Sequence, residues 1–205
     1  MATLLSKLNL NHLTLTPTLT ATGRKMIAVK LDDKPLLLQL NDDETDLFSC
    51  PFGLDRESEK YPDPENRILR LVPSVEKDFQ KLDAFFAKQY EANFAAWGLP
   101  SNLEYAPLVK CNDDIGPMIR TKVSLQHTVF KKFHDSMQRV VPSDVSCITP
   151  GSECLLLVKA SSLWYNESKY GVTLNVKLIL VKPGEKKNFD ITDLILQSHI
   201  ESMEE

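Results

Sequence analysis

Trp164, Tyr165, Lys169 and Tyr170 crowd into seven consecutive positions, with Lys159 and Lys177 on either flank. Aromatic rings present flat faces on which other π-systems stack, and ammonium groups attract anions. A flexible polyanion that carries exposed bases needs both. Phe130-Lys131-Lys132-Phe133 interleaves the same two residue types, and its rings suit either stacking or partial burial. A third group is purely basic. Arg120 and Lys122 alternate with Ile119, Thr121, Val123 and Leu125, and Lys110 lies shortly before them. Such a strip either follows a phosphate chain or is a solvated outer face.

The elements that must hold these groups are mostly strands. Cys154 to Lys182 predicts two β-strands joined by the turn Asn166-Glu167-Ser168-Lys169. In the second strand Val172, Leu174, Val176, Leu178 and Leu180 point one way, and Thr173, Asn175 and Lys177 the other. Strict alternation in the first strand puts Trp164 with Leu156 and Val158, and Tyr165 with Lys159. Trp164 is therefore either a groove ring or a core plug. Further strands are predicted at Met26 to Leu31 and Pro35 to Leu40 around Asp32-Asp33-Lys34, then at Leu47 to Cys50, Arg67 to Val72, Tyr105 to Cys111 and Pro117 to Gln126. Arg56 to Asn66, with Pro62 and Pro64, reads as a loop, and Pro142 to Pro150 as a connector. Ser74 to Trp97 predicts a helix, capped by Ser74 and ended by Gly98-Leu99-Pro100. Phe79, Leu82, Phe86, Tyr90 and Phe94 form one face of it, suited to packing on a sheet. At the N-terminus Leu8, Leu10, Leu13 and Leu15 suggest a first strand, although residues 1–31 contain no acidic side chain, as in an organelle targeting segment.

The 205 residues suffice for one domain over 1–183 and an acidic tail over 184–205. Net charge is −4, but it is segregated. Leu31 to Asn66 is strongly acidic, and Val109 to Val141 carries Lys110, Arg120, Lys122, Lys131, Lys132 and Arg139 against three aspartates. A basic groove on an acidic body is compatible with a nucleic-acid ligand, because only the local potential acts on it. In the tail, Asp190 can cap a short helix in which Ile191, Leu194 and Ile195 share a side. Asp190, Asp193, Glu201, Glu204 and Glu205 make it an acidic peptide that docks on partners or covers a basic groove.

Cys50, Cys111, Cys147 and Cys154 are widely spaced with no CxxC pair, so reduced thiols in a soluble intracellular protein are expected, with no metal and no cofactor. His127 and His134 read as ordinary surface or half-buried histidines. The carboxylates of Asn41 to Asp46 match no calcium loop. No Gly-rich phosphate loop, HExxH or GxSxG occurs, so no enzyme is expected. No apolar run reaches the length of a membrane span.

Two segments resemble a known family. KPLLLQLNDDETDLFSCPFGLD, Lys34 to Asp55, is similar to a segment of the single-stranded-DNA-binding proteins of large DNA viruses, and Gly151 to Lys182, with Trp164 and Lys169-Tyr170-Gly171-Val172, resembles the final hairpin of that family. The order of an inserted helix, a basic strand pair, a Trp-bearing hairpin and an acidic end is similar to the replication proteins of the same kind in short-tailed coliphages. The resemblance implies a mainly β (α+β) domain, an OB-fold Greek-key barrel with an inserted helix at about 74–97. It implies binding of single-stranded DNA without sequence preference in replication, recombination or repair, at a host nucleus or cytoplasmic replication site. A replication polymerase or helicase would meet the acidic tail, and a homodimer is conceivable. The competing reading is a non-catalytic viral structural or replication-scaffold protein whose hairpin aromatics pack on other proteins.

Overall fold

The computed structural model describes residues 2–19, 25–41, 46–56, 65–73, 76–113, 116–134 and 139–182. The strands are β1 (Thr3–Leu4), β2 (Leu13–Leu19), β3 (Lys25–Leu31), β4 (Lys34–Gln39), β5 (Phe48–Cys50), β6 (Leu54–Arg56) and β7 (Asn66–Leu71). The helix α1 (Glu76–Asn93) follows, then β8 (Glu104–Ala106), β9 (Val109–Asn112), β10 (Gly116–Ser124), β11 (Val129–His134), β12 (Arg139–Pro142), β13 (Ser152–Tyr165) and β14 (Lys169–Lys182). The acidic tail, its suggested helix, the Ser74 cap and most of the proline-bearing loop before β7 lie outside the described residues.

The hairpin β13–β14 is the axis of the sheet. β13 pairs antiparallel with β4, β3 and β5, while β14 runs parallel to β10, β8 and β11. β10 in turn pairs antiparallel with β7, so β13, β14, β10 and β7 lie side by side. Asn166 closes the hairpin tip: its Oδ1 accepts from the backbone N–H groups of Ser168 at 2.9 Å and Lys169 at 2.7 Å. At the β3–β4 turn Asp32 and Asp33 both take the left-handed conformation (φ 47° and 62°), the geometry a two-residue hairpin demands and aspartate tolerates.

The mainly β fold with one inserted helix agrees with the sequence pattern, but the sheet does not close into a barrel. A single bridge, with Val72 N–H donating to the Ser49 carbonyl at 2.9 Å, draws the end of β7 back to β5. β5 is only three residues long and runs into Pro51, which has no N–H to donate, so it cannot carry a full ladder. β11 and β12 are strands that the sequence reading does not predict.

Helix α1 buries Phe79, Leu82 and Phe86 of the predicted face against the sheet core of Leu36, Leu38, Phe48 and Leu156, and Tyr90 in a second cluster with Ile27, Leu163 and Tyr170. Each such side chain contributes about 1.5–3 kcal/mol by leaving water. Asn41, fully buried, ties the chain just after β4 to the neighbouring β13 by donating to the Cys154 carbonyl and accepting from Leu156 N–H at 3.0 Å. The thiols of Cys50 and Cys154 are buried too. Desolvation pushes Cys50 up to about 11 and Cys154 higher still, so both stay protonated at neutral pH.

Helix α1 ends at Asn93, short of the expected Trp97, and a turn carries the chain on to Gly98. Gly98 N–H bonds to the Ala95 carbonyl and Leu99 N–H to the Phe94 carbonyl, and Gly98 has φ 62°. That reciprocal pair satisfies carbonyls left open at the helix end. Gly98→Ala is expected to cost about 1 kcal/mol, because a Cβ penalises the left-handed conformation. A melting curve superimposable on that of the parent would refute this account of the helix end.

Candidate nucleic-acid interface

Strand pairing lines up side chains that are far apart in sequence. Lys122 of β10 lies opposite Ile68 of β7 on one side and Asn175 of β14 on the other; Asn175 lies opposite Lys159 of β13, and Lys159 opposite Leu37 of β4. Ile68, Lys122, Asn175, Lys159 and Leu37 thus form one row across five strands spaced ~4.8 Å apart. Arg120, two residues from Lys122, stands on the same face, since Ile119, Thr121 and Val123 turn inward and are buried.

Two irregularities decide which other side chains join this face. Between the pairs Ala160–Leu174 and Leu163–Val172, Ser161 and Ser162 oppose the single residue Thr173. This bulge inverts the alternation: Val158 and Ala160 point inward, then Leu163 does, and Trp164 moves to the outer face. Trp164 is thereby partly buried on the outer face and does not fill the core. A second register shift, between the pairs Leu157–Leu178 and Val158–Val176, leaves Lys177 as the extra residue. Beyond it Ile179 and Val181 face the core, which corrects the inward direction expected of Leu178.

Two clefts result. The first, of about 230 Å³, is lined by Lys110, Arg120, Lys122 and Trp164 over Ile68, Pro107 and Val172. The second, of about 330 Å³, is lined by Lys122, Lys159 and Lys177 with Ser124, Ser161 and Asn175. Lys122 belongs to both, so the clefts adjoin. Among the described residues Lys110, Arg120, Lys159 and Lys177 have no carboxylate partner, so their charge is directed to solvent and to whatever enters the cleft.

The helix holds the first cleft from behind. Asp83 accepts from Leu108 N–H at 2.9 Å, Val109 N–H at 3.4 Å and the Tyr105 hydroxyl at 2.7 Å, which fixes the segment bearing Pro107. Burial raises the Asp83 carboxyl above its ordinary value despite these opposing hydrogen bonds. On the other wall the indole lies on Gly171. A Cβ there would sit 2.9 Å from both the Ala106 carbonyl oxygen and Trp164 Cζ2. Gly171→Ala is therefore expected to cost about 1 kcal/mol or more by overpacking and to shift indole emission to the red. Unchanged emission and melting would mean that the ring does not rest there.

No protein-family model matches the chain, and no curated protein matches it. Among solved structures it is similar to gp2.5, a single-stranded DNA binding protein encoded by bacteriophage T7, at TM-score 0.41 and 15% identity over 70% of this chain and 92% of that one. It is also similar to the single-stranded DNA-binding protein from bacteriophage Enc34 in complex with ssDNA, at TM-score 0.43 and 13% identity over 86% of this chain and 98% of that one. At such scores the clefts have to be read from their own geometry.

That geometry removes several expected stacking rings. Tyr170, 3% exposed, stacks on Tyr90 of α1 with ring centroids 3.7 Å apart and also meets Tyr105. Burial pushes its hydroxyl up to about 12. Phe130, 9% exposed, belongs to the main core. Tyr165 packs beside the cluster of Tyr90, Trp97 and Tyr170, with its hydroxyl donating to the Lys25 carbonyl at 3.4 Å. The bulge that turns Trp164 outward is what takes Tyr165 off the lysine face. Lys169 pairs with Glu104 at 3.1 Å, and neither Lys169, Lys131 nor Lys132 lines either of these two clefts. His127 and Asn175 line the second cleft although the sequence singled out neither as a site. The period-2 pattern does place Asn175 with Lys177, which is the signal that was available for it.

Proposed function

We propose that this chain binds single-stranded DNA without sequence preference and shields it during replication, recombination or repair. The observation that carries the reading is the pair of adjoining clefts, in which Lys110, Arg120, Lys122, Lys159 and Lys177 share one face with an outward Trp164. The five cations follow phosphates and displace counterions, and the indole stacks one base. Neither contact carries sequence information, since every base has a π-face and every nucleotide a phosphate. Lys131, Lys132 and Lys169 add at most long-range attraction. The role is one of binding and not of catalysis.

The segments Lys34 to Asp55 and Gly151 to Lys182 favour kinship with the large-DNA-virus family. On that reading the acidic tail, through Asp190, Asp193, Glu201, Glu204 and Glu205, docks a replication polymerase or helicase, and a homodimer forms. A soluble protein at an intracellular replication site fits this role, and no helix among the described residues is long and apolar enough to cross a membrane.

Titration of a fluorescent oligothymidine at two salt concentrations tests the proposal. Tight binding at low salt that weakens steeply at higher salt, and that is matched by a mixed-sequence oligonucleotide, is expected. Absence of binding at low salt would favour the scaffold role instead.

A further inference from the structure

We propose that the interface takes ribose strands as well as deoxyribose strands, and that Asn175 senses the 2′-hydroxyl. This inference rests on the single-strand reading above and concerns the sugar that the second cleft meets. The two clefts differ in chemistry. Beside Trp164 the first cleft sets apolar Ile68, Pro107, Leu108 and Val172 among the cations Lys110, Arg120 and Lys122, as suits a base between phosphates. The second cleft sets the hydroxyls of Ser124 and Ser161 and the amide of Asn175 among its three lysines, with the carboxylate of Glu65 also in its lining.

Asn175 holds the central place in that arrangement. It lies directly between Lys122 and Lys159 in the cross-strand row, one strand spacing (~4.8 Å) from each. Phosphates held by the two lysines bring the intervening sugar over its amide. The amide nitrogen of Asn175 donates to the Thr173 carbonyl at 3.4 Å, so the Oδ1 acceptor is the end offered to a ligand. A deoxyribose presents only C–H to that oxygen, whereas a 2′-hydroxyl donates to it. A cleft of about 330 Å³ has space for the added oxygen.

The test compares oligouridine with oligodeoxyuridine of equal length by fluorescence anisotropy at one salt concentration, so that base and charge cancel. The ribose strand is expected to bind about two- to tenfold more tightly, the worth of one net hydrogen bond. Asn175→Val, which suits a strand but lacks the acceptor, is expected to cost the ribose strand about two- to tenfold more than it costs the deoxyribose strand, so that the two affinities converge; Asn175→Ala serves as a second variant. Equal or weaker binding of oligouridine by the parent protein, or equal losses for both strands in the variants, would overturn the inference. Failure of both strands to bind at low salt would overturn the single-strand reading itself, and this inference with it.

Discussion

Replacing Lys110, Arg120, Lys159 and Lys177 together by alanine is expected to flatten the salt dependence of oligothymidine binding. These are the cleft cations with no carboxylate partner among the described residues, so their charge is not already spent on the protein. Each phosphate contact on a single strand contributes about 0.7 to the slope of log affinity against log salt, so four give about 2.8. Between 50 and 200 mM salt that amounts to about 50-fold of the affinity the parent loses and the variant does not. All four side chains reach solvent, and removing them relieves like-charge repulsion, so the melting temperature should hold or rise. Lys169→Ala is the control: its ammonium is committed to Glu104, and its loss should leave the slope unaltered. If the fourfold variant keeps the parental slope while staying folded, the phosphates lie elsewhere.

Trp164→Ala acts through a different force and should be separable from the charge changes. Stacking of one base on an aromatic ring is worth about 1–3 kcal/mol, so affinity should fall by a factor of about 5–150 at every salt concentration. The slope should not move, because the indole carries no charge. Trp164→Phe is expected to recover part of the loss, since the benzyl ring still offers a face. The fold should survive, because Trp164 is only half-buried and its cross-strand partner Gly171 keeps its backbone pairing with Ala106. A variant that binds as the parent does would show that the strand bypasses the ring.

How far the sequence foretells this site depends on whether the signal is local. The alternation of Ile119, Arg120, Thr121, Lys122 and Val123 is written in one strand, and the structure follows it. The helix face of Phe79, Leu82, Phe86 and Tyr90, and the Gly98 turn that follows α1, are equally local. The bulges are not. Ser161 and Ser162 tolerate either face, and only the opposite strand determines that two residues meet one there. Strict counting therefore puts Trp164 and Tyr165 on each other's sides. Tyr170 has the composition of a stacking ring, but its partner Tyr90 comes from α1, and nothing near either residue announces the pairing. Closure of the sheet likewise depends on how long β5 remains straight before Pro51, a matter of a few residues.

Lysine reactivity measured with and without bound oligothymidine tests the location of the strand most directly. After acetylation with an amine-reactive reagent, mass spectrometry reads the protection of each ammonium. Lys110, Lys122, Lys159 and Lys177 are expected to be shielded by the oligonucleotide, while Lys34, Lys81 and Lys169 react as in the free protein. Shielding of Lys131, Lys132 or Lys169 with the four cleft lysines left reactive would contradict the account and move the strand to another face.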